Sequence, residues 1–112
     1  RMKRFLAALL ALAVLYSASA YSISVRGHGV QSCAKWTNDR KGELTVDTVA
    51  NIAWVTGYLS GLNYSDAVLT DVLKDQNSKV LYSWIDNYCA QNPRKRIHHA
   101  CNALINELDK WP

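Results

Sequence analysis

Cysteine, histidine and aspartate are the residue types in this 112-residue chain that could carry out chemistry. Cys101 lies two and three positions after His99 and His98, so a thiol nucleophile with an imidazole base is one hypothesis. On a helix, however, those spacings point the side chains in different directions. Asp86 is a candidate acid, although a helical carboxylate is more often a surface charge. We therefore predict a protein without catalytic activity and keep a small hydrolase that uses a cysteine or Asp86 as an alternative.

The histidines and cysteines do not form a metal-binding pattern. His98 and His99 are adjacent, and on a helix their side chains diverge by about 100°, which prevents both from binding one ion. The sequence contains neither an H-E-x-x-H motif nor a C-x-x-C motif. We therefore predict no metal site and no cofactor.

The cysteines indicate one disulfide bond. Three cysteines allow at most one intramolecular bond, and small exported domains use such bonds to compensate for small cores. We predict the pair Cys33–Cys89, which closes a long loop and stabilises the fold by about 4 kcal/mol on the chain-entropy model. Cys101 then remains a free thiol on the apolar stripe of the last helix. The pair Cys89–Cys101, which would join two consecutive helices, stays open as an alternative.

Residues 1–20 have the organisation of a secretory signal peptide. Arg1-Met2-Lys3-Arg4 is basic, residues 5–16 are apolar, and residues 17–20 are small. The apolar run is shorter than the roughly 20 residues that a helix needs to cross a bilayer. We expect cleavage after Ala20, export to the periplasm of a bacterium, and no membrane span in the mature chain. A retained membrane anchor is the alternative.

The charge balance gives no support for nucleic-acid binding. The formal net charge is +4, but three of the 13 lysines and arginines lie in residues 1–20. The mature chain therefore carries ten cations against nine carboxylates. Its densest basic run, Arg94-Lys95-Arg96, falls at a predicted helix start and is interpreted as a solvated helix face. One triplet does not make the extended basic stripe that nucleic acids require, so we predict no nucleic-acid partner.

Hydrophobic periodicity predicts an all-α fold, a small bundle of three to four short helices. We expect a flexible leader at residues 21–30, which are polar and contain Gly27 and Gly29, followed by a single helical domain at residues 31–112. Residues 31–37 are interpreted as a short helical turn and residues 38–42 as a loop. The sequence shows no convincing period-two strand and no internal repeat.

Three further segments show clear helical spacing, and a shorter apolar segment lies between the first and the second of them. The first helix begins near Thr45 or Asp47, a shorter segment opens at Ser65-Asp66, and another helix spans residues 79–90. The last helix begins at Asn92-Pro93, where asparagine caps it and proline occupies its first position. The predicted apolar faces are, in chain order, Val49, Ile52, Val55, Leu59 and Leu62; Leu81, Trp84, Ile85 and Tyr88; and Ile97, Cys101, Leu104, Leu108 and Trp111.

Two glycines and the many aromatic rings mark where packing or binding would concentrate. Gly57 and Gly61 lie four apart on the first clear helix, and each costs about 1 kcal/mol of helix propensity against alanine. We expect another element to approach Gly57 closely, while Gly61 either packs in the same way or ends the helix. Tyr64 and Tyr82 lie off the main apolar stripes and are our candidates for a partner surface. The other large rings are predicted to build the core: Trp36, Trp54, Trp84, Trp111, Tyr58 and Tyr88.

Several short motifs resemble those of small exported bacterial proteins of unknown function. They are Cys33-Ala-Lys-Trp36, Trp54-Val-Thr-Gly57-Tyr58-Leu-Ser-Gly61, Trp84-Ile-Asp86-Asn-Tyr88-Cys89 and Asn92-Pro93.

The helix with glycine, tyrosine and a second glycine is also similar to the Tai family, the periplasmic immunity proteins that neutralise cell-wall amidases delivered by type VI secretion. Gly57, Tyr58 and Gly61 match its helix motif, and Pro93, Ala100, Leu104 and Trp111-Pro112 resemble its final helix. The resemblance implies an all-helical, disulfide-bonded protein without enzymatic activity that plugs its cognate toxin.

These observations predict an exported, non-enzymatic helical protein that binds a protein partner, as an immunity-like inhibitor does. Size, export and a single disulfide also give a looser likeness to the HdeA-type acid-stress chaperones. On that alternative, protonation of carboxylates at low pH loosens the fold and exposes apolar surface. The sequence identifies neither the partner nor the oligomeric state.

Overall fold

The computed structural model describes residues 24–66 and 70–111, and within them the fold is all-helical, as predicted. A 3-10 turn and four α-helices follow in chain order: the turn at His28–Val30, α1 at Cys33–Lys41, α2 at Val46–Asp66, α3 at Ser78–Gln91 and α4 at Ile97–Leu108. Helix α2 packs on α4, and α1 packs on α3, which also contacts α4. In these residues the only strand-like feature is an isolated antiparallel bridge between Ser32 and Arg96.

The predicted signal peptide at residues 1–20 lies outside the described residues. Among the helices that are described, none combines the length and the apolar character needed to cross a membrane.

The core lies where the four helices meet. Ile85 of α3 and Leu104 of α4 are fully buried, and the stacked rings of Trp84 and Tyr88, with centroids 5.6 Å apart, pack against them from the edge. Burial of such side chains is the main favourable contribution to folding, at about 25 cal/mol per Å² of apolar surface. Among the described residues, the buried apolar side chains are Cys33, Trp36, Val55, Leu59, Leu81, Ile85, Cys89, Ile97, Ala100, Cys101, Leu104 and Leu108.

The predicted disulfide bond between Cys33 and Cys89 is confirmed. It joins the first residue of α1 to the last turn of α3 across 56 positions of sequence, and both residues are fully buried. Cys101 is a free and buried thiol, so the alternative pair Cys89–Cys101 does not form.

Helix α1 is longer than predicted. Residues 38–41, which were interpreted as a loop, continue the helix from Cys33 to Lys41. Ser32 caps the helix by accepting a hydrogen bond from the Lys35 backbone N–H at 3.1 Å, and Lys35 pairs with Asp39 one turn later at 2.8 Å. The polar composition of this stretch therefore reflects a helix with one buried edge, since only Cys33 and Trp36 are buried.

Helix α4 begins later than predicted, at Ile97 instead of Asn92-Pro93. Asn92 ends α3, where its side-chain Nδ2 donates to the Tyr88 carbonyl at 2.8 Å. The carbonyls of Pro93 and Lys95 accept hydrogen bonds from the first two backbone N–H groups of α1. Residues 93–96 are thus held as a turn because they cap the neighbouring helix, whose first N–H groups have no partner of their own.

The buried face of α2 is more polar than the hydrophobic pattern indicated. Thr48 and Asn51 are buried together with Val55 and Leu59, whereas Val49 is exposed. Thr45 is the cap, as predicted, because its Oγ1 accepts a hydrogen bond from the Thr48 backbone N–H at 3.2 Å. The helix turns its polar side inward at this end because α1 and the 3-10 turn supply partners there.

The predictions for the two glycines of α2 were wrong. A Cβ placed on Gly57 or Gly61 would meet no atom within 4 Å, so no other element approaches either residue. Gly61 does not end the helix, which continues to Asp66. Ser65 and Asp66 therefore belong to the end of α2, and the shorter segment predicted to open there continues into residues 67–69, which lie outside the described residues.

Residues 24–31, called the strap below, are packed against the domain, although residues 21–30 were predicted to form a flexible leader. Gly29 is buried directly under the indole of Trp54. Gly27 has a φ of 90°, a conformation that favours glycine, and its Cβ would lie 2.8 Å from Trp54 Nε1. Trp54 therefore requires glycine at both positions in the strap.

We predict opposite stability effects for two glycine-to-alanine substitutions. Gly29→Ala places a methyl group in the six-membered ring of Trp54 and is expected to lower the free energy of unfolding by about 1–3 kcal/mol. Gly57→Ala is the matched control on an open helix face. It should raise the free energy of unfolding by about 0.5–1 kcal/mol, because alanine favours a helix more than glycine does. Urea denaturation followed by circular dichroism measures both, and equal effects of the two substitutions would contradict the packing of the strap.

Candidate functional site

Asp86, the candidate acid of the sequence analysis, anchors α1 to α3. Its Oδ1 accepts hydrogen bonds from the Trp36 indole N–H at 2.8 Å and from Arg40 Nε at 2.9 Å. Its Oδ2 accepts a further hydrogen bond from Arg40 Nη2 at 2.9 Å. These hydrogen bonds raise the pKa of Arg40, which therefore stays charged beside the carboxylate. Both carboxylate oxygens are used in holding the indole and the guanidinium.

A second polar network joins the strap to α1 and α2. Asn51 is only 1% exposed, and its side chain bonds to His28 Nδ1 at 2.8 Å and to Asp39 Oδ2 at 2.9 Å. Asp39 also accepts a hydrogen bond from Lys35, and this bond is the main cause of the lowered pKa of Asp39. Each member of the network is satisfied by another member, as a buried polar group must be.

Cys101 and Ser60 are not poised as nucleophiles. Cys101 is completely buried, and burial raises the pKa of its thiol to about 12. The thiolate form that attacks a substrate is therefore scarce near neutral pH. Ser60 lies on the exposed side of α2, and its hydroxyl donates back to the Thr56 carbonyl at 2.7 Å. A cysteine nucleophile would also need a base, and both neighbouring histidines already form hydrogen bonds. His98 bonds to the Gly29 carbonyl, and His99 accepts from the Arg96 backbone N–H.

The two adjacent histidines lie closer together than the helical geometry suggested. The ring centroids of His98 and His99 are 4.1 Å apart, because His99 turns back to accept a hydrogen bond from the Arg96 backbone N–H. His98 bonds to the Gly29 carbonyl in the strap at 3.0 Å. Within the described residues no group of three or more histidine, cysteine, aspartate or glutamate side chains is placed to hold a metal ion.

The solvent-facing side of α2 carries the two most exposed large apolar side chains of the described residues. Val46 is 85% exposed and Tyr64 is 84% exposed, although they lie at opposite ends of the same helical face. No charged residue occurs between Asp47 and Asp66, so this face carries no charge. We call it the α2 face, and it consists of Val46, Val49, Ala53, Gly57, Gly61 and Tyr64.

The two tyrosines proposed for a partner surface lie on and beside the α2 face. Tyr64 belongs to the face itself. Tyr82 projects from α3 to its flank, where its hydroxyl lies 2.7 Å from Thr56 Oγ1. Tyr82, but not Tyr64, lines a cleft of about 180 Å³. It is lined by Thr56, Leu59, Ser60, Leu73, Gln76, Ser78, Leu81 and Tyr82.

The basic run Arg94-Lys95-Arg96 belongs to the turn before α4, and not to a helix face as predicted. All three side chains are exposed, and Arg96 Nη1 donates to the Val30 carbonyl at 3.2 Å. An open cleft of about 480 Å³ lies beside the turn and is lined by residues 91–95. None of the lining residues brings a carboxylate or a thiol to this cleft.

Several residues that define the site were not found from the sequence. Arg40 was placed in a loop and His28 in a leader, and Asn51 was not singled out. Asn51 was recognisable, since it precedes Val55 by four positions and follows Thr48 by three, and a polar residue at this spacing needs buried partners. The pairing of Arg40 with Asp86 depends on contact between helices 46 positions apart, which no local pattern indicates.

No protein-family model, no curated protein and no solved structure matches the chain.

We predict that removal of the Asp86 carboxylate destabilises the fold. Asp86→Ala leaves the buried Trp36 indole N–H without an acceptor, which is expected to cost about 1–3 kcal/mol of unfolding free energy. Asp86→Asn keeps an acceptor for the indole N–H and should therefore lower the unfolding free energy by less. Urea denaturation of the two variants measures the difference, and an alanine variant as stable as the unsubstituted protein would disprove the anchoring role.

We also predict that Cys101 does not react in the folded protein. With a pKa of about 12, only about one thiol in ten thousand is ionised at a pH near 8, and the side chain is fully buried. Iodoacetamide should therefore add to the disulfide-bonded protein only after urea unfolds it, with one label per chain by mass spectrometry. Rapid labelling of the folded protein would restore the thiol-nucleophile hypothesis.

Proposed function

We propose that this protein is an exported, non-enzymatic helical binding protein that inhibits a protein partner through the α2 face. The observation that carries the proposal is the exposed, uncharged side of α2, with Val46 at 85% and Tyr64 at 84% exposure. Soluble monomers rarely leave large apolar side chains aligned on one face unless a partner covers them.

The composition of the α2 face suits a partner helix or a flat protein surface. Tyrosine and valine at its two ends provide apolar anchors. Gly57 and Gly61 leave the middle of the face without side chains, so a partner backbone can come close to the α2 axis. Leu44, which is 76% exposed just before α2, extends the apolar surface at one end.

The absence of an activated group on or near this face supports a binding role over a catalytic one. Asp86 is held by Arg40 and Trp36, and Ser60 donates to its own helix. Cys101 is buried with a raised pKa.

The inhibitory role rests on the resemblance to the Tai-type immunity proteins. Gly57 and Gly61 of the shared motif lie on the α2 face, and Tyr58 turns inward to donate to Asn102 at 3.0 Å. The motif thus combines a residue that fixes the helix on α4 with two residues that open its outer face. The disulfide bond is compatible with an oxidising compartment such as the periplasm.

The two alternatives stay predictions with less support. An acid-stress chaperone also needs exposed apolar surface, but it needs that surface after acidification, whereas the α2 face is open in the folded state. A small hydrolase needs a free nucleophile or acid, but Cys101 is buried and Asp86 is hydrogen-bonded to Arg40.

A photo-crosslinking experiment identifies the partner and tests the face together. A photoreactive phenylalanine replaces Val49 or Tyr64 on the α2 face, and Val80 on α3 in the control. Val80 is a suitable control because it is 49% exposed, close to the 51% of Val49, and lies outside the face. We expect one discrete protein adduct from positions 49 and 64 in cells and none from position 80.

With the partner purified, we predict that Val46→Lys lowers its affinity by at least about tenfold, as truncation of an interface anchor does. Val80→Lys adds the same charge at an exposed valine of α3 and should leave the affinity unchanged. Calorimetric titration measures both affinities. An equal effect of the two substitutions, or an affinity that Val46→Lys leaves unchanged, would exclude the α2 face as the binding surface.

A further inference from the structure

The strap is held on one side by the start of α4 and on the other by α2. His98 bonds to the Gly29 carbonyl at 3.0 Å, and Arg96 Nη1 donates to the Val30 carbonyl at 3.2 Å. The Ile97 backbone N–H donates to the Gln31 carbonyl at 3.0 Å. On the other side, the Trp54 indole N–H donates to the Arg26 carbonyl at 3.0 Å. His28 of the strap also bonds to Asn51 of α2 at 2.8 Å. Residues 96–98 therefore supply the attachment on the α4 side.

The conformation of Arg96 depends on an unprotonated nitrogen of His99. His99 Nδ1 accepts a hydrogen bond from the Arg96 backbone N–H at 3.1 Å. This is the role that glutamate or glutamine plays at the third position of a capping box. A protonated imidazole carries hydrogens on both nitrogens and cannot accept this bond.

The surroundings of His99 oppose its protonation. Partial burial lowers the pKa of His99 from its ordinary value of 6.5, and the neighbouring His98, Lys95 and Arg96 lower it further. Among the described side chains, the charged groups on the packed elements are Arg26 and His28 in the strap, Asp47 on α2, Lys79 and Asp86 on α3, and Glu107 on α4. None of these carboxylates contributes to the shift.

We propose that His99 is an acid-sensitive latch whose protonation releases the strap from Trp54. Protonated His99 loses its hydrogen bond to Arg96 and places a further positive charge beside His98 and Lys95. The first turn of α4 then loses its cap, and the three bonds from residues 96–98 to the strap weaken together. Release of Gly29 uncovers the indole of Trp54, which is stacked on Tyr58 with ring centroids 4.7 Å apart.

The direction of the pH dependence follows from the lowered pKa. The folded state favours neutral His99, so its contribution to stability is complete above the ordinary histidine pKa of 6.5. That contribution is lost as the pH falls from about 6.5 through the lowered pKa of the folded protein. The latch acts through the strap and α4, so it is independent of the α2 face and of any partner.

Hydrogen exchange measured by NMR tests the latch on the purified, disulfide-bonded protein. The two reporters are the Trp54 indole N–H and the Ile97 backbone N–H, both of which bond to the strap. Between about pH 7 and about pH 5, the protection factors of both reporters are expected to fall, because protonated His99 cannot accept the hydrogen bond from the Arg96 backbone N–H. The protection of buried core amides in α3 should not change over this range.

Two variants separate loss of the acceptor from a general effect of acid. His99→Gln keeps an acceptor that does not titrate, so its strap should stay protected at about pH 5. His99→Ala lacks the acceptor and should expose both reporters already at about pH 7. Unchanged protection of the unsubstituted protein at about pH 5, or a His99→Gln variant that loses protection at either pH, would overturn the proposal.

Discussion

The bond between Cys33 and Cys89 fixes the position of α1, and much of the remaining structure depends on that position. Helix α1 has nine residues and buries only Cys33 and Trp36, which is too little to hold it in place by apolar packing alone. The disulfide brings its first turn against the end of α3. Trp36 and Arg40 then face Asp86, and the carbonyls of Pro93 and Lys95 cap the first backbone N–H groups of α1.

This dependence on tertiary contacts explains which parts of the fold could be predicted. The all-α class, the disulfide and the body of α2 and α3 follow from local periodicity and from the expectation that the cysteines of an exported chain pair. The length of α1 and the start of α4 do not follow from the local sequence, because each depends on hydrogen bonds between α1 and the turn before α4. Asn92-Pro93 has the composition of a helix start, yet the carbonyl of Pro93 bonds to Ala34 and keeps this segment out of α4.

In the candidate site, too, some features follow from the local sequence and others only from tertiary contacts. Tyr64 was identified from its position outside the apolar stripe, and that argument needs only the helical period. Gly57 and Gly61 were interpreted as points of close packing, whereas both open onto solvent. A glycine pattern alone does not distinguish a packed face from an open one, because both need small residues; only the assembled bundle shows which side of α2 the other helices cover. The proposed binding role therefore depends on the fold and not on the motif.

The burial of Cys101 has a consequence for how the protein is made. The three cysteines can pair in three ways, and two of those pairings include Cys101. Cys101 is shielded from thiol exchange only when α4 has packed against the other helices. An oxidant that reaches the chain earlier selects among the pairings by their proximity in the unfolded chain, which favours Cys89 with Cys101. The timing of oxidation relative to collapse of the bundle therefore governs the yield of native molecules.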